Sequence, residues 1–225
     1  MKKAFLSFAL CFFLMQAFSQ SQTNAEYSIG LKIISLEELP KILNEVKSTS
    51  KYYLSPLNGL IFKANDNQIS YRFQVYTYKN NNFTFENECK NCEIVTGNYK
   101  SLDIKLGFER SIVYSDLQPF YGLDFGFQKI NFDGASRNPG NSTLLYNANV
   151  EKNGALFYPF IGLKYNFFKA LTISVETGID FYYSDDKEIK SSPNNTLISQ
   201  NHYRRWEFNT RPIGLLSFEY SFGFN

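Results

Sequence analysis

The stretch Tyr121-Gly-Leu-Asp-Phe-Gly-Phe-Gln128 carries the decisive pattern. Tyr121, Leu123, Phe125 and Phe127 are large and apolar, whereas Gly122, Asp124, Gly126 and Gln128 between them are small or polar. Successive side chains of an extended chain point to opposite faces, so this alternation predicts a strand with one apolar and one polar wall. Seven further segments repeat it. Tyr27, Ile29, Leu31 and Ile33 form the first apolar set, followed by Leu60, Phe62 and Ala64, and by Ile69, Tyr71, Phe73 and Val75. Leu102, Ile104, Leu106 and Phe108 precede the quoted segment. After it come Phe157, Pro159, Ile161, Leu163 and Tyr165, then Leu171, Ile173, Val175, Ile179 and Phe181, and finally Leu216, Phe218, Tyr220, Phe222 and Phe224.

The connections alternate in length. Asn65-Asp66-Asn67, Tyr114 to Gln118 and Phe168-Lys169-Ala170 read as tight turns. Ser35 to Tyr53, Glu86 to Asn98, Asp133 to Ala155 and Ser184 to Arg205 read as long polar surface loops. This order predicts an all-β fold: an eight-stranded antiparallel up-and-down transmembrane β-barrel with short periplasmic turns and long extracellular loops.

Alternation alone does not say which wall faces outward. A soluble lipocalin-like barrel is apolar inside; an outer-membrane barrel is apolar outside. Side-chain size favours the second. The polar walls hold Gly30, Gly107, Gly122, Gly126, Gly162 and Gly178, with Ser28, Ser70, Ser174 and Ser217, and small residues suit the crowded interior of eight strands. The same walls carry Arg72, Asp103, Lys105, Glu109, Asp124, Lys164, Glu176, Asp180, Arg211 and Glu219. Facing lipid, each Lys or Arg would cost roughly 2–4 kcal/mol at the midplane; inside, the charges can pair. An internal ion-pair network is therefore expected in preference to a catalytic carboxylate pair. Leu106, Phe108, Leu123, Phe125, Leu163, Ile173, Phe218, Tyr220 and Phe222 are expected to face lipid. Tyr76, Tyr78, Phe83, Phe85, Tyr114, Phe167, Phe168, Tyr182, Tyr183 and Trp206, near segment ends, read as interfacial girdles. Within the first long connection Leu36, Leu39, Ile42, Leu43 and Val46 share a helical face behind a Ser35/Glu38 capping box. A short surface helix or a folded loop is expected there, rather than a plug.

Lys2-Lys3, the apolar run Ala4 to Phe18 and the small residues around Ser19 make residues 1–19 a secretory signal, leaving 20–225 as the barrel domain. Without Lys2 and Lys3 the 23 basic residues become 21, equal to the 21 acids. A neutral chain lacks the basic patch of a nucleic-acid binder, so no nucleic-acid partner is expected. Aromatics reach 18% although the mean hydropathy is −0.30, an average that follows when apolar residues occupy every second position. Beyond the N-terminus no run of roughly 18 apolar residues exists, which excludes a helical membrane bundle. Cys89 and Cys92 fall in a polar stretch of an exported chain and are expected to form a disulfide. Free thiols, or a metal or redox role, remain the alternatives.

The signal ending in Phe18-Ser-Gln20, the segment Pro119-Phe-Tyr-Gly-Leu-Asp-Phe-Gly-Phe127, its echo Pro159-Phe-Ile-Gly-Leu163 and the final Ser217-Phe-Glu-Tyr-Ser-Phe-Gly-Phe224 resemble small bacterial outer-membrane β-barrels, most closely the OmpA/OmpX-like group of Bacteroidetes-type bacteria. The resemblance spans nearly all of the mature chain and concerns strands and wall rather than chemistry. It implies the outer membrane as location, lipid as solvent for the outer wall, and an assembly machinery that reads the last strand. Here Phe224 is followed by Asn225, and Glu219 stands where glycine is often found.

For function, a non-enzymatic barrel is expected, structural or adhesive, with no cofactor and with loops displayed to an extracellular partner whose identity is unknown. The alternative is a secreted lipocalin-like barrel holding an apolar ligand. A weaker alternative is a lipid A-modifying enzyme using His202 and Ser199; a catalytic histidine needs neighbours that orient it, and a loop histidine is the simpler reading.

Overall fold

The computed structural model describes residues 26–43, 52–66, 69–86, 93–113, 115–138, 140–168 and 170–223. Eight strands follow in chain order: β1 (Glu26–Glu38), β2 (Tyr52–Asp66), β3 (Ile69–Glu86), β4 (Ile94–Ser111), β5 (Leu117–Arg137), β6 (Leu144–Phe168), β7 (Leu171–Ser191) and β8 (Leu197–Gly223). Each pairs antiparallel with its sequence neighbour, and β1 pairs with β8 from Glu26↔Gly223 to Leu36↔Ile213. The sheet is thereby a closed barrel, which leaves no edge strand to seek another chain. The segment from Tyr27 is thus a full barrel strand.

Strand lengths set the shape. β1 and β2 have 13 and 15 residues, β8 has 27. β2 meets β3 only from Gly59↔Tyr76 to Asp66↔Ile69, whereas β5 and β6 stay in register from Leu117↔Tyr165 to Ser136↔Tyr146 and remain paired to Arg137↔Leu144. The long hairpins therefore run far past the closed ring, and we call their far end the tip end.

Much of what reads in sequence as long loop is strand. β5 continues to Arg137 and β6 starts at Leu144; β7 continues to Ser191 and β8 starts at Leu197. The connections at these tips are short. Asn138 N donates to Thr143 O and Ser192 N to Thr196 O, while Ser142 and Asn195 take positive φ angles of 57° and 60° to close the turns. The alternation does not stop in these stretches; its polarity reverses, and a search for apolar-outward strands overlooks it.

Ser35 to Glu38 is strand paired with Tyr52 to Ser55, not the cap of a helix. Residues 39–43 form a folded segment without helix that turns into the barrel mouth. Ile42 is 3% and Leu43 1% exposed. They pack with Tyr53, Phe83, Phe85, Val95, Tyr99, Ile130 and Phe132, so this segment is a plug of the tip-end interior. Val46 lies outside the described residues.

Candidate functional site

The register arranges outward side chains into rungs that cross six strands. Phe73, Leu106, Phe125, Phe157, Phe181 and Phe208 make one rung; Val75, Ile104, Phe127, Ala155, Tyr183 and Trp206 make the next towards the tips. The aromatic rings of the first rung touch in series, with centroids 5.1 Å apart for Phe125–Phe157, 5.8 Å for Phe157–Phe181 and 5.3 Å for Phe181–Phe208. The next two rungs change character. One holds Thr77, Leu102, Lys129, Asn153, Asp185 and Arg204; the other Lys79, Lys100, Asn131, Glu151, Lys187 and His202.

All nine residues expected on the apolar wall lie on the outer face. Leu106 is 61% and Phe125 57% exposed, with Phe108, Leu163, Phe218, Tyr220 and Phe222 also exposed and Leu123 and Ile173 half-buried. A contiguous apolar surface of this extent does not remain in water on a monomer; it marks a surface covered by another apolar phase or partner.

The ten charged residues assigned to the interior are inside, and the structure connects nine of them. Arg72 is the hub nearest the short turns. Its guanidinium grips Asp124 with both arms, Nε–Oδ1 at 2.8 Å and Nη2–Oδ2 at 2.5 Å, and reaches Glu176 at 2.7 Å and Glu109 at 3.3 Å. Planar bidentate pairing of this kind is what Arg, unlike Lys, supplies. The same guanidinium lies 3.7 Å from the Phe160 ring centroid. Glu109 also takes Lys63 and Lys164, both at 2.9 Å, and Lys63 joins Glu219 at 2.9 Å. Arg211 forms the second hub, binding Asp180, Glu37 at 2.7 Å and Asp103 at 3.2 Å. Lys105 instead sits against rings, 4.4 Å from the centroid of Tyr158 and 5.5 Å from that of Tyr76.

Among the described residues, seven further buried charges, Lys32, Glu37, Lys63, Lys152, Asp186, Glu188 and Lys190, escape a sequence reading as network members. Lys32 pairs with Glu37 at 2.7 Å. A bulge between Lys32 and Ile34 shifts the alternation there, so Glu37 changes parity relative to the first half of β1. Lys63 has the right parity, and that alone could have found it. Nearer the tips, Lys152 binds Glu207 at 2.5 Å, Asp186 at 3.4 Å and the carbonyl of Lys41 at 3.0 Å, which fastens the plug to β6 and β8.

Large rings do enter the barrel, and several of them lie over a glycine of an adjacent strand. A Cβ at Gly162 would lie 2.5 Å from Phe120 and one at Gly178 2.6 Å from Tyr158, and one at Gly122 would collide with Phe160. Interior glycine thus makes room for a neighbouring ring. The girdle expectation is corrected for several aromatics. Tyr76, Phe83, Phe85 and Tyr182 are buried inside, and Tyr78 packs against the tip-end core, because their parity is inward. Phe167, Phe168, Tyr183 and Trp206 are exposed, while Tyr114 lies outside the described residues.

A vestibule of about 610 Å³ opens at the short-turn end, floored by Lys63, Glu109, Lys164 and Glu219. Further in, the ion pairs and rings fill the barrel. His202 meets Asp185, whose other oxygen accepts from Arg204 Nε at 2.9 Å; His202 and Arg204 together hold the Asp185 carboxyl below its usual range. Ser199 is three residues from His202 on β8, hence on the opposite wall, so the two are not brought together. Among the described residues no group of three or more His, Cys, Asp or Glu could hold a metal. Cys89, Cys92, the signal at 1–19 and Phe224 lie outside the described residues.

The architecture has solved counterparts. OprG, an outer membrane protein of Pseudomonas aeruginosa, superposes with a TM-score of 0.52 at 13% identity, covering 89% of this chain and 97% of that one. A major outer membrane protein of Thermus thermophilus gives 0.50 at 12% identity, covering 89% and 100%. The fold is that of the outer-membrane eight-stranded barrels. No protein-family model and no curated protein matches the sequence.

Proposed function

We propose that this chain is a non-enzymatic protein of the bacterial outer membrane, of the OmpA/OmpX-like kind, with a structural, adhesive or envelope-integrity role. The observation that carries this reading is the outer wall of apolar rungs, ending at Tyr183 and Trp206, wrapped around an interior of paired charges. Only lipid solvates such a wall, and only a closed barrel can place backbone there without unpaired groups. Leu106, Phe108, Leu123, Phe125, Leu163, Ile173, Phe218, Tyr220 and Phe222 face the acyl chains in this reading. The short turns lie in the periplasm and the long hairpins project outside, where their tips meet an extracellular partner. The last strand is the segment the assembly machinery reads. The packed interior supports a wall and a display scaffold rather than an open pore.

One observation favours the lipocalin-like alternative: the tip-end interior is apolar. Its rings and the plug already fill that space, so it reads as a core. The lipid A-modifying reading loses support from the separation of His202 and Ser199 onto opposite walls of β8.

The test is insertion into phosphatidylcholine vesicles whose acyl chains carry bromine. The chain has one tryptophan, Trp206, and it is exposed. Folded protein is expected to shift mobility between boiled and unboiled gel samples, and bromine placed near the headgroups should quench Trp206 more strongly than bromine at the bilayer centre. A chain that stays soluble, with Trp206 unquenched, overturns the proposal.

A further inference from the structure

We propose that the two outward rungs just past the apolar wall form a cationic collar that binds lipid phosphate, specifically the phosphate groups of a bisphosphorylated glycolipid in the outer leaflet. The inference rests on the membrane reading above and goes beyond it by naming a lipid chemistry.

Register places the cations. Lys129 and Arg204 stand in the first rung beyond Val75–Trp206, and Lys79, Lys100 and Lys187 in the second. All five side chains are exposed. Against them the same rungs hold two acids, Glu151 and Asp185. The five cations sit on β3, β4, β5, β7 and β8, with Arg204 also paired to Asp185 at 2.9 Å, so they follow the circumference rather than one strand, as a ring of lipid headgroups would require.

The excess is also one-sided. At the short-turn rim the described outward residues include a single cation, Arg110; Lys63 and Lys164 near that end point inward to Glu109. A collar that served only to keep the barrel in register with water would be symmetric. One that matches an anionic leaflet on one side is not. The aromatic pair Tyr183–Trp206, with ring centroids 5.0 Å apart, lies directly beneath Asp185 and Arg204. Aromatic rings of this kind sit at headgroup depth, which puts the lysine and arginine tips at the level of the phosphates. Long side chains reach such phosphates without strain because their stems lie along the wall.

The test uses the full mature chain, folded into micelles containing equal amounts of bisphosphorylated lipid A and its dephosphorylated counterpart, with divalent cations chelated. Co-purifying lipid is read by native mass spectrometry. The wild-type barrel is expected to retain the phosphorylated form about tenfold over the dephosphorylated one. A variant carrying Lys79→Gln, Lys100→Gln, Lys129→Gln, Lys187→Gln and Arg204→Gln should bring the ratio close to one while keeping its heat-dependent gel shift. Glu151→Gln with Asp185→Asn should move the ratio the other way, upward. High salt should weaken the preference, since exposed charges are screened within about 10 Å at 0.1 M ionic strength. Inorganic phosphate, at the concentration of lipid phosphate, should leave the preference in place; if it abolishes the preference, the collar is a free-anion site and the lipid assignment fails. A wild-type barrel that folds in bilayers but retains both lipids equally, or a neutralised variant that keeps the wild-type ratio, overturns the collar alone. A chain that never folds into a bilayer overturns the membrane reading instead.

Discussion

The half of the barrel near the short turns and the half near the hairpin tips are inversions of each other. Along β4, the inward side chains nearer the turns are Asp103, Lys105 and Glu109, and the outward ones are Ile104, Leu106 and Phe108; nearer the tips the inward ones are Val95 and Tyr99, and the outward ones Thr96, Asn98 and Lys100. The strand does not change its pairing or its period at the crossing. What changes is the solvent outside. Where lipid bathes the wall, apolar side chains are at no disadvantage outside, and the interior holds charges that must find partners. Where water bathes the wall, the apolar side chains go inward and form an ordinary core, completed by Ile42 and Leu43 from the β1–β2 connection. One continuous strand thus serves two solvents by reversing which parity is apolar.

The contrast between the halves is broken most severely at the polar hub. Arg72→Met leaves Asp124, Glu176 and Glu109 without their shared cation, and removal of one partner from a buried ionic cluster costs about 3–5 kcal/mol. Urea unfolding in vesicles measures this; a loss below about 1 kcal/mol would show that the interior charges do not hold the barrel. At the apolar hub, Leu43→Ala is expected to cost about 2–4 kcal/mol as a cavity. That loss should be local. Hydrogen exchange should accelerate in the tip-end portions of β3 to β6 and leave the β1–β8 pairing near Glu26 and Gly223 protected.

The outer walls give a paired test of similar size. Phe125→Arg is expected to cost about 2–4 kcal/mol in a bilayer because it places a charge in the lipid wall. Asn149→Arg, outward on β6 beyond the collar, should change stability by less than about 0.5 kcal/mol. Equal costs at the two sites would remove the distinction between the halves. The smallest effect concerns pH. His202 and Arg204 lower the Asp185 carboxyl, so their contribution is present above the unfolded carboxylate value of about 3.9 and is lost as the pH falls through the lower folded value. The gap between wild-type and Asp185→Asn unfolding midpoints should therefore narrow only at the acid end. Asp185 is open to solvent, so the difference is expected to be small, and a gap that persists unchanged in strong acid would contradict the assignment.

Legibility followed the same boundary. Near the short turns the apolar-outward alternation is unbroken, and Leu106, Phe125 and Phe218 can be placed on the outer wall, and Arg72, Asp124 and Glu176 inside, from parity alone. Past Trp206 the same alternation continues with reversed polarity. Asn147, Asn149 and Glu151 point outward while Ala148, Val150 and Lys152 point inward, yet an Asn-rich stretch reads as loop when an apolar outer wall is the criterion. Tyr76, Phe85 and Tyr182 mislead for a related reason: an aromatic near the end of an apolar segment looks like a girdle until its parity is followed through. The plug is illegible in a different way. Leu39, Ile42 and Leu43 fit a helical spacing, and the competing use for them, filling a mouth lined by Val95, Tyr99 and Phe132, exists only when β3 to β6 are assembled around it.

By itself the sequence determined the eight alternating segments, the antiparallel order and the sign of the wall near the short turns, because period two and side-chain size are local properties of an extended chain. Only the tertiary structure decided which charges share a partner, which rings lie over which glycines, and that the interior turns apolar towards the tips. These depend on register between strands far apart in sequence. One residue of slip at the bulge after Lys32 is enough to reassign a side chain from one solvent to the other.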